Sequence, residues 1–98
     1  MTNIKHEIKH QDLGNKGRFY VGEKTNKLAE MTYSKAGDER IIIDHTEVSE
    51  ELKGEGIGKK MLMKAVEMAR ESGIKILPLC PYAKSVFDKD PSISDVLD

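Results

Sequence analysis

The chain has few of the residues that crosslink small secreted proteins or build metal centres. It contains one cysteine, Cys80, three histidines and no tryptophan. A single cysteine excludes an internal disulfide and is typical of a reducing, cytoplasmic setting. The histidines and the cysteine show no metal-ligand spacing, so we expect no metal site.

Long apolar segments and an excess of one charge are also missing. The first residues, Met1 to His6, contain no apolar run, and no segment is long enough to span a bilayer, so we expect neither a signal peptide nor membrane contact. Sixteen basic residues nearly balance seventeen acidic ones, for a net charge of -1, which argues against nucleic-acid binding. The 98 residues suffice for one small domain, 1–98, which we expect to be a monomer or weak dimer.

The chain does contain a glycine-rich segment, Leu52 to Lys60, with glycine at alternate positions: Gly54, Gly56 and Gly58. Apolar residues then recur at helical spacing, which predicts an amphipathic helix from Gly56 to Ser72 that ends at Gly73. The first turn of a helix has N–H groups without internal partners and the positive end of the macrodipole. The segment therefore predicts a phosphate or pyrophosphate site, with added positive charge from Lys53, Lys59 and Lys60.

Two common glycine motifs do not fit this segment. A nucleotide P-loop would need glycine at Lys53 and serine or threonine at Lys60. The dinucleotide fingerprint would need its last glycine at Lys59 or Met61. A glycine-rich turn that binds no ligand therefore stays open as an alternative.

The remaining apolar pattern predicts an α+β fold. Alternating or β-branched stretches indicate strands over residues 4–10, 18–23, 28–35 and 40–48, which would form an antiparallel meander. After the helix, residues 74–80 form a short apolar stretch, which we expect to lie parallel to the fourth strand through a right-handed crossover. Residues 82–88 are expected to form a short helix, and residues 92–97 one last turn.

The segment Lys53-Gly54-Glu55-Gly56-Ile57-Gly58 follows a β-branched strand and precedes an amphipathic helix. It resembles the acyl-CoA loop of the GNAT acetyltransferases, usually written Gln/Arg-x-x-Gly-x-Gly/Ala. Lys53 departs from that pattern at its first position but keeps the positive charge. Together with Asp44 to Val48 before the loop and Leu79 to Tyr82 after it, the segment is similar to the minimal, YjdJ-type GNAT-like proteins.

This resemblance implies a GNAT-like fold that uses acetyl-CoA as co-substrate. The strand before the loop would offer backbone groups to the pantetheine arm, and the loop N–H groups from Gly54 to Lys59 would hold the pyrophosphate. The implied cofactor-binding residues are Glu47, Val48, Lys53, Gly54, Glu55, Gly56, Ile57, Gly58, Lys59, Pro81 and Tyr82. The implied catalytic pair is His45 and Cys80.

Each of these side chains also has a simpler interpretation. Cys80 is either a small buried apolar residue, a nucleophile that accepts the acetyl group, or a general acid to the departing CoA thiolate. His45 is either a general base or a strand-end histidine with a structural partner. Tyr82 is either part of the core or a wall of the acyl pocket.

We therefore expect an N-acetyltransferase that moves acetyl from acetyl-CoA to an amine on a small molecule or protein. The alternatives are a non-catalytic acyl-CoA-binding module and a structural domain with a vestigial loop. Larger GNAT enzymes place two helices between their first two strands, whereas the corresponding connection, Gln11 to Gly17, is too short for one helix. We therefore expect an open, shallow acceptor side.

Overall fold

The computed structural model describes residues 7–23 and 26–98. One sheet contains five strands in chain order: β1 Lys9–Asp12, β2 Lys16–Gly22, β3 Lys27–Ala36, β4 Arg40–Val48 and β5 Lys75–Pro78. The first four strands pair antiparallel, and β5 pairs with β4 in parallel. Two helices follow β4 and β5, namely α1 Ile57–Ser72 and α2 Pro81–Lys89, with short 3₁₀ helices at Glu50–Leu52 and Pro91–Val96. The predicted α+β fold, with a meander, a crossover helix and a parallel strand, is confirmed.

Helix α1 has glycines in the left-handed conformation at both ends. Gly56 precedes it with φ 71°, and Gly73 follows it with φ 69° and donates its N–H to the Ala69 carbonyl. Because glycine adopts positive φ without a Cβ penalty, these two positions define where the helix begins and ends. The predicted helix agrees with the observed one apart from Gly56, which caps the helix.

The core lies between one face of the sheet and the helices. Its members from the sheet alternate along each strand, as the pleat requires. They include Phe19, Val21, Ala29, Met31, Tyr33, Ile41, Ile43 and Ile76, and they pack with Met61, Leu62, Ala65, Val66 and Ala69 of α1. Polar residues occupy alternate positions on β2 and β3, where Arg18 forms a 2.8 Å ion pair with Glu30.

A β-bulge interrupts β4 at Asp44. Thr32 of β3 lies opposite His45, but the next residue, Tyr33, lies opposite Ile43, so β4 has one extra residue at this point. Ile43 is buried, and beyond the bulge Thr46 is partly buried while His45 is exposed. The extra residue therefore reverses which positions of β4 face the helices.

The first strand differs from its prediction. Residues 4–6 of the predicted strand lie outside the described residues, and β1 begins at Lys9 and continues to Asp12. Asp12 ends the strand because its carboxylate accepts the Gly14 N–H at 2.9 Å and closes a turn over residues 13–15. The expected short connection between β1 and β2 is confirmed. The last strand is shorter than predicted and ends at Pro78, which cannot donate to the ladder.

Candidate functional site

Strands β4 and β5 separate where their pairing ends. The last paired residues are Ile43 and Pro78. The next two residues, Leu79 and Cys80, both donate their N–H groups to the Ile43 carbonyl, at 3.2 and 3.1 Å. Strand β4 continues from there to Val48, while the chain turns into α2 at Pro81. A gap therefore opens between the end of β4 and the start of α2.

The backbone of β4 presents alternate residues to this gap. Ser49, directly after β4, donates its N–H to the Leu28 carbonyl at 2.8 Å. In an antiparallel pair, backbone groups point toward the partner strand at every second residue. Glu47 therefore bonds toward β3, whereas the backbone groups of Thr46 and Val48 point into the gap. Of the two residues expected to offer backbone groups to a pantetheine arm, Val48 directs its groups into the gap and Glu47 directs them toward β3.

The glycine loop leaves several N–H groups without backbone partners. Gly54 and Gly56 both have positive φ, at 87° and 71°. Alternation of left-handed and ordinary conformations turns successive N–H groups toward one side and forms an anion-binding concavity. The first N–H of this region to bond back along the helix is that of Lys60, to the Gly56 carbonyl at 3.0 Å. No carbonyl of the described residues accepts a backbone hydrogen bond from the N–H groups of Gly54, Gly56, Ile57, Gly58 or Lys59.

A cavity of about 270 Å³ joins the gap and the loop. Its walls come from β4, the loop, the start of α1 and the start of α2. The lining residues are Thr46, Val48, Leu52, Lys53, Gly54, Gly56, Ile57, Gly58 and Tyr82. The structure thus brings together seven of the residues expected to bind the cofactor. Thr46 and Leu52 line the cavity in addition, whereas Glu47, Glu55, Lys59 and Pro81 are not in its lining.

Tyr82 forms one wall by packing against the first turn of α1. A Cβ added to Gly58 would lie 3.0 Å from the Tyr82 ring and its hydroxyl. Glycine is therefore required at position 58 because a Cβ would crowd Tyr82. At Gly54 and Gly56 glycine is required because the backbone has positive φ. Burial raises the pKa of the Tyr82 hydroxyl, and the nearby Cys80 charge raises it further.

Two of the three lysines around the loop have carboxylate partners. Lys53 contacts Glu50 at 2.8 Å, and Lys59 lies 3.9 Å from Asp90. The hydrogen bond from Lys53 and its charge lower the pKa of Glu50. Both lysine side chains are more than half exposed, so these pairs are weak and an anion can compete for the lysines.

Cys80 contacts Thr46 rather than His45. The cysteine side chain is 3% exposed, and its thiol donates to the Thr46 hydroxyl at 3.2 Å. His45, the other member of the expected catalytic pair, directly precedes Thr46 on β4 and is exposed. No described hydrogen bond joins His45 to Cys80. The bulge at Asp44 explains this, because without it His45 would share the inner face with Ile41 and Ile43. The sequence does contain a signal for the bulge. Apolar residues on one face of a regular strand are an even number of positions apart, but Val48 lies five positions after Ile43.

The described residues contain no cluster of histidine, cysteine and acidic side chains that could hold a metal ion. In the same part of the chain, no helix has the length and apolarity of a membrane span.

The fold is shared with solved N-acetyltransferases. Ribosomal-protein-alanine N-acetyltransferase from Brucella melitensis biovar Abortus 2308 matches with a TM-score of 0.61 at 15% identity, covering 76% of this chain and 60% of that chain. An acetyl transferase candidate from Pyrococcus furiosus matches with a TM-score of 0.56 at 25% identity, covering 78% of this chain and 58% of that chain. The chain therefore shares the fold of these two proteins.

The sequence comparisons are more specific. Residues 18–96 match the family model described as GCN5-related N-acetyl-transferase. A solved GCN5-like candidate N-acetyltransferase from Staphylococcus aureus is 45% identical to this chain and matches it with a TM-score of 0.76. The match covers 96% of this chain and 89% of the Staphylococcus aureus chain. No curated protein matches the chain. The chain belongs to the GCN5-related N-acetyltransferase family, whose enzymes generally take acetyl-CoA as donor.

Proposed function

We propose that this enzyme moves an acetyl group from acetyl-CoA to a primary amine, with the donor bound in the cavity between β4, the glycine loop and α2. The observation that carries this proposal is the junction of free loop N–H groups with the gap beside β4 in one cavity. The N–H groups that lack backbone partners, those of Gly54, Gly56, Ile57, Gly58 and Lys59, suit a pyrophosphate, and the lysines beside them add charge. The pantetheine arm would bond to the backbone of Thr46 and Val48, which directs the thioester toward Cys80.

In the route we favour, Cys80 accepts the acetyl group first. Its sulfur bonds to the acetyl carbon as the carbon–sulfur bond of acetyl-CoA breaks, and the thiol proton leaves with the CoA sulfur. The amine then attacks the acetyl-cysteine, the carbon–sulfur bond to Cys80 breaks, and an N–H proton restores the thiol. In the alternative route the amine attacks acetyl-CoA directly, and Cys80 acts only as the acid that protonates the CoA sulfur.

His45 acts in this proposal on the acceptor rather than on the thiol. An amine arrives protonated at neutral pH and must lose one proton before it can attack. His45 is exposed on β4 one residue from Thr46, and an imidazole nitrogen can act as a general base. The acceptor would therefore approach from the exposed face of the sheet.

The acceptor side is open in this proposal, because a turn over residues 13–15 stands where helices would wall a pocket. Such a site buries little of a free amine, so it favours an amine carried on a larger molecule. The proposal also places the enzyme in the cytoplasm, where a reducing environment keeps Cys80 as a free thiol.

Titration calorimetry with acetyl-CoA tests the binding site through Gly56→Val. A side chain at this position would narrow the approach of a pyrophosphate to the loop, so we expect affinity to fall by about tenfold or more. Gly37→Val is the matched control, because Gly37 also has positive φ, 72°, and also has open space around its Cβ position, but lies in the β3–β4 turn. Equal affinity of folded Gly56→Val and Gly37→Val would exclude the loop as the binding site.

Intact-mass spectrometry tests the route. After incubation with acetyl-CoA and no amine, we expect one acetyl adduct that hydroxylamine removes and that Cys80→Ala lacks. His45→Ala should form the adduct but pass it slowly to an added amine. Full transfer activity in Cys80→Ala, without any adduct in the native chain, would reduce Cys80 to a packing residue.

A further inference from the structure

We propose that Thr46 is the positioning residue for Cys80, and that its hydroxyl both holds the thiol at the gap and promotes its reactivity. The inference rests on the proposed function for the use of the thiol, but its geometry and its test need neither CoA nor an amine. It replaces the expected partnership of His45 with Cys80 by one that the hydrogen bonds support.

Two hydrogen bonds attach Cys80 to β4. Its backbone N–H donates to the Ile43 carbonyl at 3.1 Å, and its thiol donates to the Thr46 hydroxyl at 3.2 Å. The two acceptors lie on either side of the bulge at Asp44, which turns Thr46 inward. A side chain held at both its backbone and its sulfur keeps one orientation, so the sulfur stays beside the cavity that Thr46 lines.

A threonine hydroxyl can serve the sulfur in both protonation states. It accepts from the neutral thiol, and after rotation it donates to the sulfur once the proton has left. A hydrogen bond to a charged sulfur is stronger than one between neutral groups, so the hydroxyl favours the nucleophilic form. Thr46 keeps its own proton throughout, and the thiol proton leaves with the CoA sulfur as in the proposed route.

The competing interpretation is that Thr46 only fills space. Its methyl group and its hydroxyl can be separated by substitution. Thr46→Val keeps the branched shape and removes the hydroxyl, whereas Thr46→Ser keeps the hydroxyl and removes the methyl group. A packing role predicts that serine is the more damaging change, and the positioning role predicts valine.

The experiment measures alkylation of the ligand-free protein by iodoacetamide between pH 6 and 9, with intact mass as the readout. The chain has one cysteine, so each adduct reports on Cys80 alone. We expect Thr46→Val to slow alkylation at neutral pH by roughly three- to tenfold and to move the rise in rate to higher pH. Thr46→Ser should restore the native rate. The other titratable group facing the thiol is Tyr82 of α2, whose phenol titrates above this range.

Several results would overturn the proposal. They are a native rate in Thr46→Val, a failure of Thr46→Ser to restore the rate, and no alkylation of the folded native chain. A variant that unfolds exposes its thiol and reacts faster, which is opposite to the expected change. If Thr46→Val unfolds, Thr46→Ala takes its place. If acetyl-CoA does not bind in this cavity, the proposed function fails, but the alkylation result still stands.

Discussion

The meander of β1 to β3 and the junction of β4 with the glycine loop use their hydrogen-bonding groups differently. In the meander of β1 to β3, polar side chains have close partners: Arg18 bonds to Gln11 at 2.9 Å and to Glu30 at 2.8 Å, and His10 bonds to Tyr33 at 2.7 Å. At the junction of β4, the loop and α1, backbone donors of the loop and of the β4 end face a cavity. Groups with partners stabilise the fold, whereas groups without partners are free to bind a ligand.

Glycine shows the same contrast. Gly17 of β2 and Gly58 of α1 both lie where an added Cβ would meet a tyrosine. In the meander the tyrosine is Tyr33, which is fully buried, and the Cβ would also lie 2.8 Å from the Gln11 carbonyl. At the site the tyrosine is Tyr82, which is 39% exposed and has solvent to move into. A substitution should therefore damage the fold in the first case and the site in the second.

The largest expected effect is that of Gly17→Ala on stability. A Cβ here must displace a buried ring or the backbone of β1, which overpacks the core, so we expect the free energy of unfolding to fall by about 2–4 kcal/mol. Urea denaturation of native and variant chains measures this difference. A loss below about 0.5 kcal/mol is within the range of neutral surface changes. Such a result would show that the meander accommodates the added Cβ and that Gly17 and Gly58 do not differ in packing.

Gly58→Ala is the matched change at the site, and its main effect should be on binding. Alanine gains up to about 1 kcal/mol over glycine in a helix, which offsets the cost of moving an exposed ring, so stability should change little. The displaced Tyr82 ring should alter the cavity, and we expect acetyl-CoA affinity to fall several-fold by calorimetry. A variant that loses stability but binds acetyl-CoA normally would place Gly58 with Gly17 as a packing residue.

The sequence predicted the fold well because its signals are local. Alternating residues define β3, and glycines mark both ends of α1, so the strand, the helix and the loop could be placed without knowing their partners. The β1 strand was placed too early, because Asp12 serves as the turn residue and no apolar pattern marks that choice. The bounds of the loop and its position before α1 also followed from the residue order.

The site was only partly predictable because it depends on register. One extra residue at Asp44 decides that Thr46, rather than His45, meets Cys80. Such a bulge forms between two strands, so neither strand's own composition defines it fully. The pairing of Lys53 with Glu50 was missed for a similar reason, since it depends on the 3₁₀ turn between them. Residue types predicted the chemistry, but contacts across strands decided which residues take part in it.

The smallest expected effect concerns the pH dependence of stability, through His10 of the meander. The ring stacks on Phe19 with 4.4 Å between centroids and bonds to the Tyr33 hydroxyl. Burial lowers the pKa of His10; Asp12 raises it in part, and Lys35 lowers it further. Because the folded chain binds this proton less readily than the unfolded chain, stability is full above the unfolded pKa of about 6.5 and is lost as the pH falls toward the folded value.

Urea midpoints measured between pH 8 and 5.5 test this sign. We expect the native chain to lose stability across this window, and His10→Gln, which has no titrating ring, to show a shallower slope. Tyr33→Phe keeps the buried ring and removes the hydroxyl, so it separates the hydrogen bond from the stacking. The window stops above the range of the carboxylates, because Asp12 and Glu30 have lowered pKa values and titrate at more acid pH. A slope that is unchanged in His10→Gln would assign the acid sensitivity to another group, and a rise in stability toward pH 5.5 would reverse the assigned sign.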